Sequence, residues 1–114
     1  MVAQSGPTGP AFFSQCFSVV ANTINTVFKS SYSYEAFVPS FGSTWGFVVG
    51  SMGPDPTVFT TEEVDTRIRE HSNRELRHYD GITHRGMFSV PRYLRMGVEA
   101  ETRIITEMSP LFVP

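Results

Sequence analysis

Charge is almost absent from the first half of this chain. Nine Lys and Arg and eleven Asp and Glu are present, yet only Lys29 and Glu35 precede Asp55. A helix on a protein surface turns a charged face to water, and the apolar stretch 11–28 carries no charge at all. Trp45–Val49 is likewise an unbroken apolar run, of the kind found in strands covered on both faces. The first half is therefore expected to form the interior of a larger sheet, with the charged second half as an outer layer. On these grounds alone the chain reads as a piece of a larger unit.

Periodicity supplies the elements. Met1–Gln4 fits the end of a strand, and Gly6-Pro7-Thr8-Gly9-Pro10 a turn, with Pro10 suited to the first position of a helix. Phe13, Phe17, Val20, Ile24 and Val27 recur at three- and four-residue steps, which predicts a helix over 11–28 with one stripe on a core. Tyr32, Tyr34, Ala36 and Val38 alternate and predict a strand over 32–38. A turn over 39–44 and a second strand over 45–51 follow. Strands joined by so short a loop are antiparallel neighbours. The sum is an α/β fold: strand, helix and antiparallel edge hairpin, as in the last third of a doubly wound sheet whose edge strand runs backwards.

Beyond the loop 51–58, Thr60-Thr61-Glu62-Glu63 is a capping box with Thr60 as N-cap and Phe59 and Val64 as the hydrophobic staple. Over the helix 61–70, Glu63/Arg67 and Asp65/Arg69 are spaced as i,i+4 ion pairs. Leu76–Tyr79 is expected to be extended. Asp80-Gly81 turns into a short helix over 82–88, Pro91 opens a last helix to about residue 100, and Thr102–Val113 forms a partly extended tail.

Several function classes are disfavoured at once. A length of 114 residues allows one domain at most. A net charge of −2 gives no electrostatic reason to expect nucleic acid or an anionic membrane as partner. The apolar run 11–28 is broken by Gln15, Asn22 and Asn25 and has no basic segment before it, so it is neither a signal peptide nor a membrane span. Cys16 is the single cysteine, which rules out an internal disulfide and points to a reducing, cytoplasmic compartment.

Position nominates a few residues for chemistry. Gln4 sits where a strand gives way to a helix, and open α/β sheets bind ligands at the carboxyl ends of strands. Its amide either hydrogen-bonds a substrate or ties the following turn. Phe41 and Trp45 flank the hairpin turn, where they form either plain hairpin packing or an aromatic wall that attracts a cation. His78, Asp80 and His84 lie within seven residues, but a metal site needs three or four converging ligands and no fourth candidate is near, so no metal is expected. Cys16, beside Phe12 and Phe17 on the predicted helix, reads as a buried structural thiol. The arginines from Arg67 to Arg103 are interspersed with acids and form a solvated face. No glycine-rich phosphate loop is present.

The pairing of Gln4-Ser5-Gly6 with Val38-Pro39-Ser40-Phe41-Gly42 and Thr44-Trp45-Gly46-Phe47 resembles the carboxy-terminal half of polyamine aminopropyltransferases, the spermidine and thermospermine synthase family. Leu76-Arg77-His78-Tyr79 through Phe88-Ser89-Val90-Pro91 resembles that family's late segment, which packs the last helices on the sheet. The resemblance covers about residues 2–108. Many members carry a Thr-Tyr-Pro-Ser-Gly turn. This chain lacks the tyrosine and is closer to the Val-Pro-Ser-Phe and Thr-Trp-Gly pattern of plant-type thermospermine synthases.

The resemblance implies a methyltransferase-like Rossmann sheet of which residues 1–114 are the carboxy-terminal part. The implied reaction moves an aminopropyl group from decarboxylated S-adenosylmethionine, a co-substrate rather than a resident cofactor, to a polyamine. Thermospermine-type product is the first expectation and spermidine synthesis from putrescine the second. Gln4 matches the glutamine that lines the amine-acceptor site, and Phe41 and Trp45 the aromatic residues of the acceptor loop. No acid here matches the family's catalytic aspartate, so no catalytic residue is assigned. The glycine-rich loop and acids that hold the donor are expected upstream of Met1, and the 114-residue chain alone is expected to be inactive. A homo-oligomer is implied for the full-length protein. A different class of function stays open: a non-catalytic remnant that binds an intact homologue. The enzyme part is expected to aggregate or to be molten alone, and the remnant to be soluble and to co-purify with its partner.

Overall fold

The computed structural model describes residues 1–112; Val113, the last residue of the expected tail, lies outside them. Seven elements follow in order: β1 (Val2–Pro7), α1 (Phe17–Val27), β2 (Ser30–Val38), β3 (Ser43–Ser51), α2 (Thr61–His71), α3 (Gly81–Met87) and α4 (Arg92–Ala100). The α/β arrangement and the antiparallel hairpin match expectation. The strand order does not. It is β1-β3-β2, with β3 antiparallel to both neighbours. The reversed strand is therefore the middle one, and β2 holds the edge. The α1 crossover skips one strand position, and the hairpin returns β3 into the gap.

β1 runs past the expected stop at Gln4. Its register slips between Gln4, opposite Phe47, and Gly6, opposite Gly46, so Ser5 is an extra residue. This bulge carries the strand on to Pro7, and the Ser5 hydroxyl donates to the Ala3 carbonyl at 2.9 Å. The helix is shorter than its periodicity predicts. Residues 11–16 form consecutive turns, in which the Phe12 and Phe13 amides both donate to the Gly9 carbonyl. Phe13 packs instead on Tyr93, ring centroids 5.6 Å apart. Cys16 is the N-cap, with a φ of −140°, and not a helix-interior residue.

The two faces of β3 differ. Gly46, Val48 and Gly50 are buried beneath α1, and a side chain at Gly46 would collide with the Phe17 ring. Trp45, Phe47 and Val49 face the other way and are half-buried. The expected cover on both faces is thus present on one. The core joins Phe17, Ala21 and Ile24 of α1 to Val48, Val90 and Leu94. Phe17, Val48 and Leu94 are wholly excluded from water.

The uncharged helix α1 is packed between the sheet, α4 and residues 101–105, except for its last turn, where Val27, expected on the core stripe, is exposed. Ser18 donates to Glu101 at 2.7 Å, Asn22 donates to the Arg103 carbonyl at 2.9 Å, and the Ile105 amide donates to the Thr23 hydroxyl at 3.0 Å. Arg103 closes the strap with an ion pair to Glu101 at 2.7 Å and a bond to the Ser14 carbonyl at 2.6 Å.

In the outer layer, Thr60 caps α2 as expected, accepting from the Glu63 amide at 3.1 Å. The i,i+4 ion pairs do not form among the described residues. Asp65 accepts from the Gly81 amide at 2.8 Å and so docks α3. Arg67 lies over the Phe59 ring at 4.6 Å, and Arg69 donates to Thr66. Residues 76–79 are irregular and not extended.

Candidate functional site

The turn between β2 and β3 stands at the end of the sheet where β1 and β2 both finish. The Phe41 and Gly42 amides donate to the Val38 carbonyl, each at 3.0 Å. Gly42 adopts a φ of +69°, the left-handed region that glycine enters without a steric cost. This geometry folds the turn back and lays Phe41 on Trp45, with ring centroids 4.4 Å apart and planes tilted by 44°. Phe41 is 48% exposed and Trp45 half-buried, so the pair presents an aromatic surface to solvent. The indole Nε1 of Trp45 is buried and has no hydrogen-bond partner. A buried donor left unpaired costs about 1–3 kcal/mol, so this N–H is an unsatisfied donor beneath the aromatic surface.

Gln4 lies on the same sheet face. It stands opposite Phe47, two residues along β3 from Trp45, and paired residues share a face. Gln4 is exposed, and its amide makes no hydrogen bond to the described residues. The structure thus brings Phe41 and Trp45 into contact and puts Gln4 beside them on the neighbouring strand.

Two groups near this end are not marked by the sequence patterns. Glu35, the one acid before Asp55, accepts from the buried Thr8 hydroxyl at 2.7 Å. Tyr93 donates to the Thr8 carbonyl at 2.5 Å, and its phenol is pushed up by burial and by the Glu35 charge. Glu35 pairs with Gly46 and so occupies the α1 face, opposite to Gln4. The second group is aromatic. Tyr34 stacks on Phe47 at 5.1 Å with planes 12° apart, and meets Phe88 edge-on at 5.3 Å. A cavity of about 350 Å³ opens here, lined by Tyr34, Tyr79, His84, Met87 and Phe88. The alternation of β2 put Tyr34 on a face, but nothing local in the sequence showed that α3 would pack there.

The three residues weighed as metal ligands have separate tasks. Asp80 caps α3 by accepting from the Thr83 amide at 2.8 Å, a bond that holds its carboxyl below the usual range. His84 bridges the Tyr79 hydroxyl at 2.6 Å and the Pro56 carbonyl at 2.7 Å. His78 is exposed. Among the described residues no three His, Cys, Asp or Glu converge. Cys16 is half-buried against Gly6, and burial pushes its thiol up, away from the thiolate form that reacts. Among the described residues no helix is long and apolar enough to cross a membrane.

No family model matches the chain. A polyamine aminopropyltransferase of Sulfurisphaera tokodaii is 42% identical over 107 residues, which are 94% of this chain and 36% of that protein. The chain therefore spans about a third of the length of this relative. Among solved structures, spermidine synthase from Thermotoga maritima superposes with a TM-score of 0.69 at 22% identity, over 88% of this chain and 34% of that one. A spermidine synthase in complex with the transition-state analogue AdoDATO gives a TM-score of 0.68 at 21% identity, over 88% and 32%. The chain is similar to polyamine aminopropyltransferases along nearly all its length, and its fold is that of part of a spermidine synthase.

Proposed function

We propose that this chain is the carboxy-terminal, amine-acceptor part of an aminopropyltransferase of polyamine biosynthesis. The observation that carries the reading is the Phe41–Trp45 pair at the hairpin turn, with an unpartnered indole N–H on the face that bears Gln4. Aromatic faces attract the cationic parts of a polyamine, each contact worth about 0.5–2 kcal/mol. The Gln4 amide oxygen accepts an N–H of the attacking amine once that amine is neutral, which orients it and leaves its lone pair free to attack.

In the reaction, the amine nitrogen bonds to the propyl carbon beside the donor's sulfonium. The carbon–sulfur bond breaks, its electron pair stays on sulfur as the neutral thioether of methylthioadenosine, and a proton leaves nitrogen. An amine in water at neutral pH is nearly all ammonium, so a base must take that proton. No acid of this chain is assigned that role. Holding acceptor and donor in line supplies the remaining acceleration. The Val38-Pro39-Ser40-Phe41 and Thr44-Trp45-Gly46 blocks favour a thermospermine-type enzyme, with spermidine as acceptor, over a putrescine-using spermidine synthase. A reducing, cytoplasmic setting and a homo-oligomeric full-length protein belong to the same proposal.

The test is equilibrium dialysis of the chain against labelled spermidine. Gln4→Ala and Trp45→Leu are each expected to weaken binding by about tenfold, the size of one charge-assisted or cation–aromatic contact. Affinity unchanged in both variants would remove the acceptor assignment. No release of methylthioadenosine is expected from the chain alone.

A further inference from the structure

The aromatic cavity beside β2 has the chemistry of a cation site, and its position relative to Gln4 gives it a use. Three of its walls are the rings of Tyr34, Tyr79 and Phe88, and Met87 adds a polarisable thioether. Ring faces carry negative potential and hold ammonium groups. No Lys or Arg lines it. His84 is fixed at both nitrogens: the Pro56 carbonyl can only accept, so Nε2 carries the hydrogen, and Nδ1 accepts from the Tyr79 hydroxyl. The Tyr34 hydroxyl makes no hydrogen bond to the described residues and remains an acceptor for an N–H. The Tyr79 phenol is pushed up by burial and then by neighbouring Tyr34.

The strand register connects this cavity to the candidate acceptor site. Gln4 stands across from Phe47, and Phe47 across from Tyr34. With neighbouring strands about 4.8 Å apart, Gln4 and Tyr34 are separated by roughly 10 Å across one sheet face. The stacked Phe47 ring floors the path between them. A short diamine anchored at Gln4 ends before the cavity, whereas a triamine, longer by an aminopropyl unit, reaches it.

We infer that this cavity receives the distal ammonium of a linear triamine whose reacting amine lies at Gln4 and Trp45, which makes Tyr34 a specificity-determining residue for acceptor length. The inference rests on the acceptor-site reading above.

Isothermal titration of the full chain with spermidine and with putrescine tests it. The original chain is expected to bind spermidine about tenfold more tightly than putrescine, the effect of one desolvated cation–aromatic contact. Tyr34→Leu removes a wall, and Met87→Lys places a competing cation in the cavity. Each is expected to bring spermidine down to the affinity of putrescine while leaving putrescine binding unchanged, which also serves as the check that the variant is folded. If Tyr34→Leu does not fold, Met87→Lys carries the test. Equal binding of the two amines, or a spermidine advantage that survives the variants, overturns the inference and leaves the acceptor site standing. Failure of the original chain to bind either amine overturns both.

Discussion

At the scale of single residues, Gly46 governs how closely helix and sheet approach. It belongs to the conspicuous Trp45-Gly46-Phe47 block, where the aromatic neighbours draw attention, yet its task is to leave room. The Phe17 ring fills the space where a Cβ would stand, and Phe17 is wholly buried. Gly46→Ala therefore overpacks the core and is expected to cost about 1–3 kcal/mol, measured by urea denaturation. An unchanged midpoint would show that Phe17 moves aside freely. Gln4, Phe41 and Trp45 were nominated by the sequence. Their mutual placement was not, because it depends on the bulge at Ser5 and on the left-handed Gly42. Tyr34 and His84 carry no sequence mark as cavity residues because α3, which closes the cavity over β2, is distant in sequence.

At the scale of elements, structure set by neighbouring residues is legible in the sequence and structure set by distant ones is not. The Thr60 cap, the hairpin turn and the two late helices follow from neighbouring residues. The middle position of β3 could not be read from a short loop, since antiparallel pairing leaves open on which side the returning strand inserts. The strap over α1 was also hidden. Glu101 and Arg103 resemble any exposed pair until Ser18, 83 positions away along the chain, is seen to donate to the carboxylate. The Arg103 guanidinium, aided by Ser18, lowers the Glu101 carboxyl from 4.5 to about 2. A carboxyl depressed on folding contributes stability that is present above its unfolded value and lost as pH falls toward its folded one. The strap is thus expected to hold above about pH 4.5 and to release progressively toward pH 2. Glu101→Gln is expected to destabilise the chain near neutrality and to match the original chain near pH 2 in denaturant midpoints taken across that range. A constant difference at every pH would place the stabilisation elsewhere.

At the scale of the molecule, the chain is elongated, 46 × 33 × 25 Å, with a radius of gyration of 15.1 Å against about 13 Å for a compact domain of this length. The sheet, α1 and α4 form a lobe with its own dry core, and α2 and α3 form a second, charged layer against the β2 edge. The uncharged first half is accounted for on the α1 face, while Val2, Gln4 and the alternate residues of β3 remain on a face that α1 does not cover. That face carries the candidate acceptor site, and one measurement tests it most directly. The chain has a single tryptophan, so the Trp45 indole N–H gives one resolved cross-peak in a proton–nitrogen NMR spectrum. Spermidine is expected to shift that peak saturably, and Gln4→Ala to raise the concentration required by about tenfold. An indole peak that stays in place while the rest of the spectrum reports a folded chain would contradict the assignment of this face to an amine acceptor.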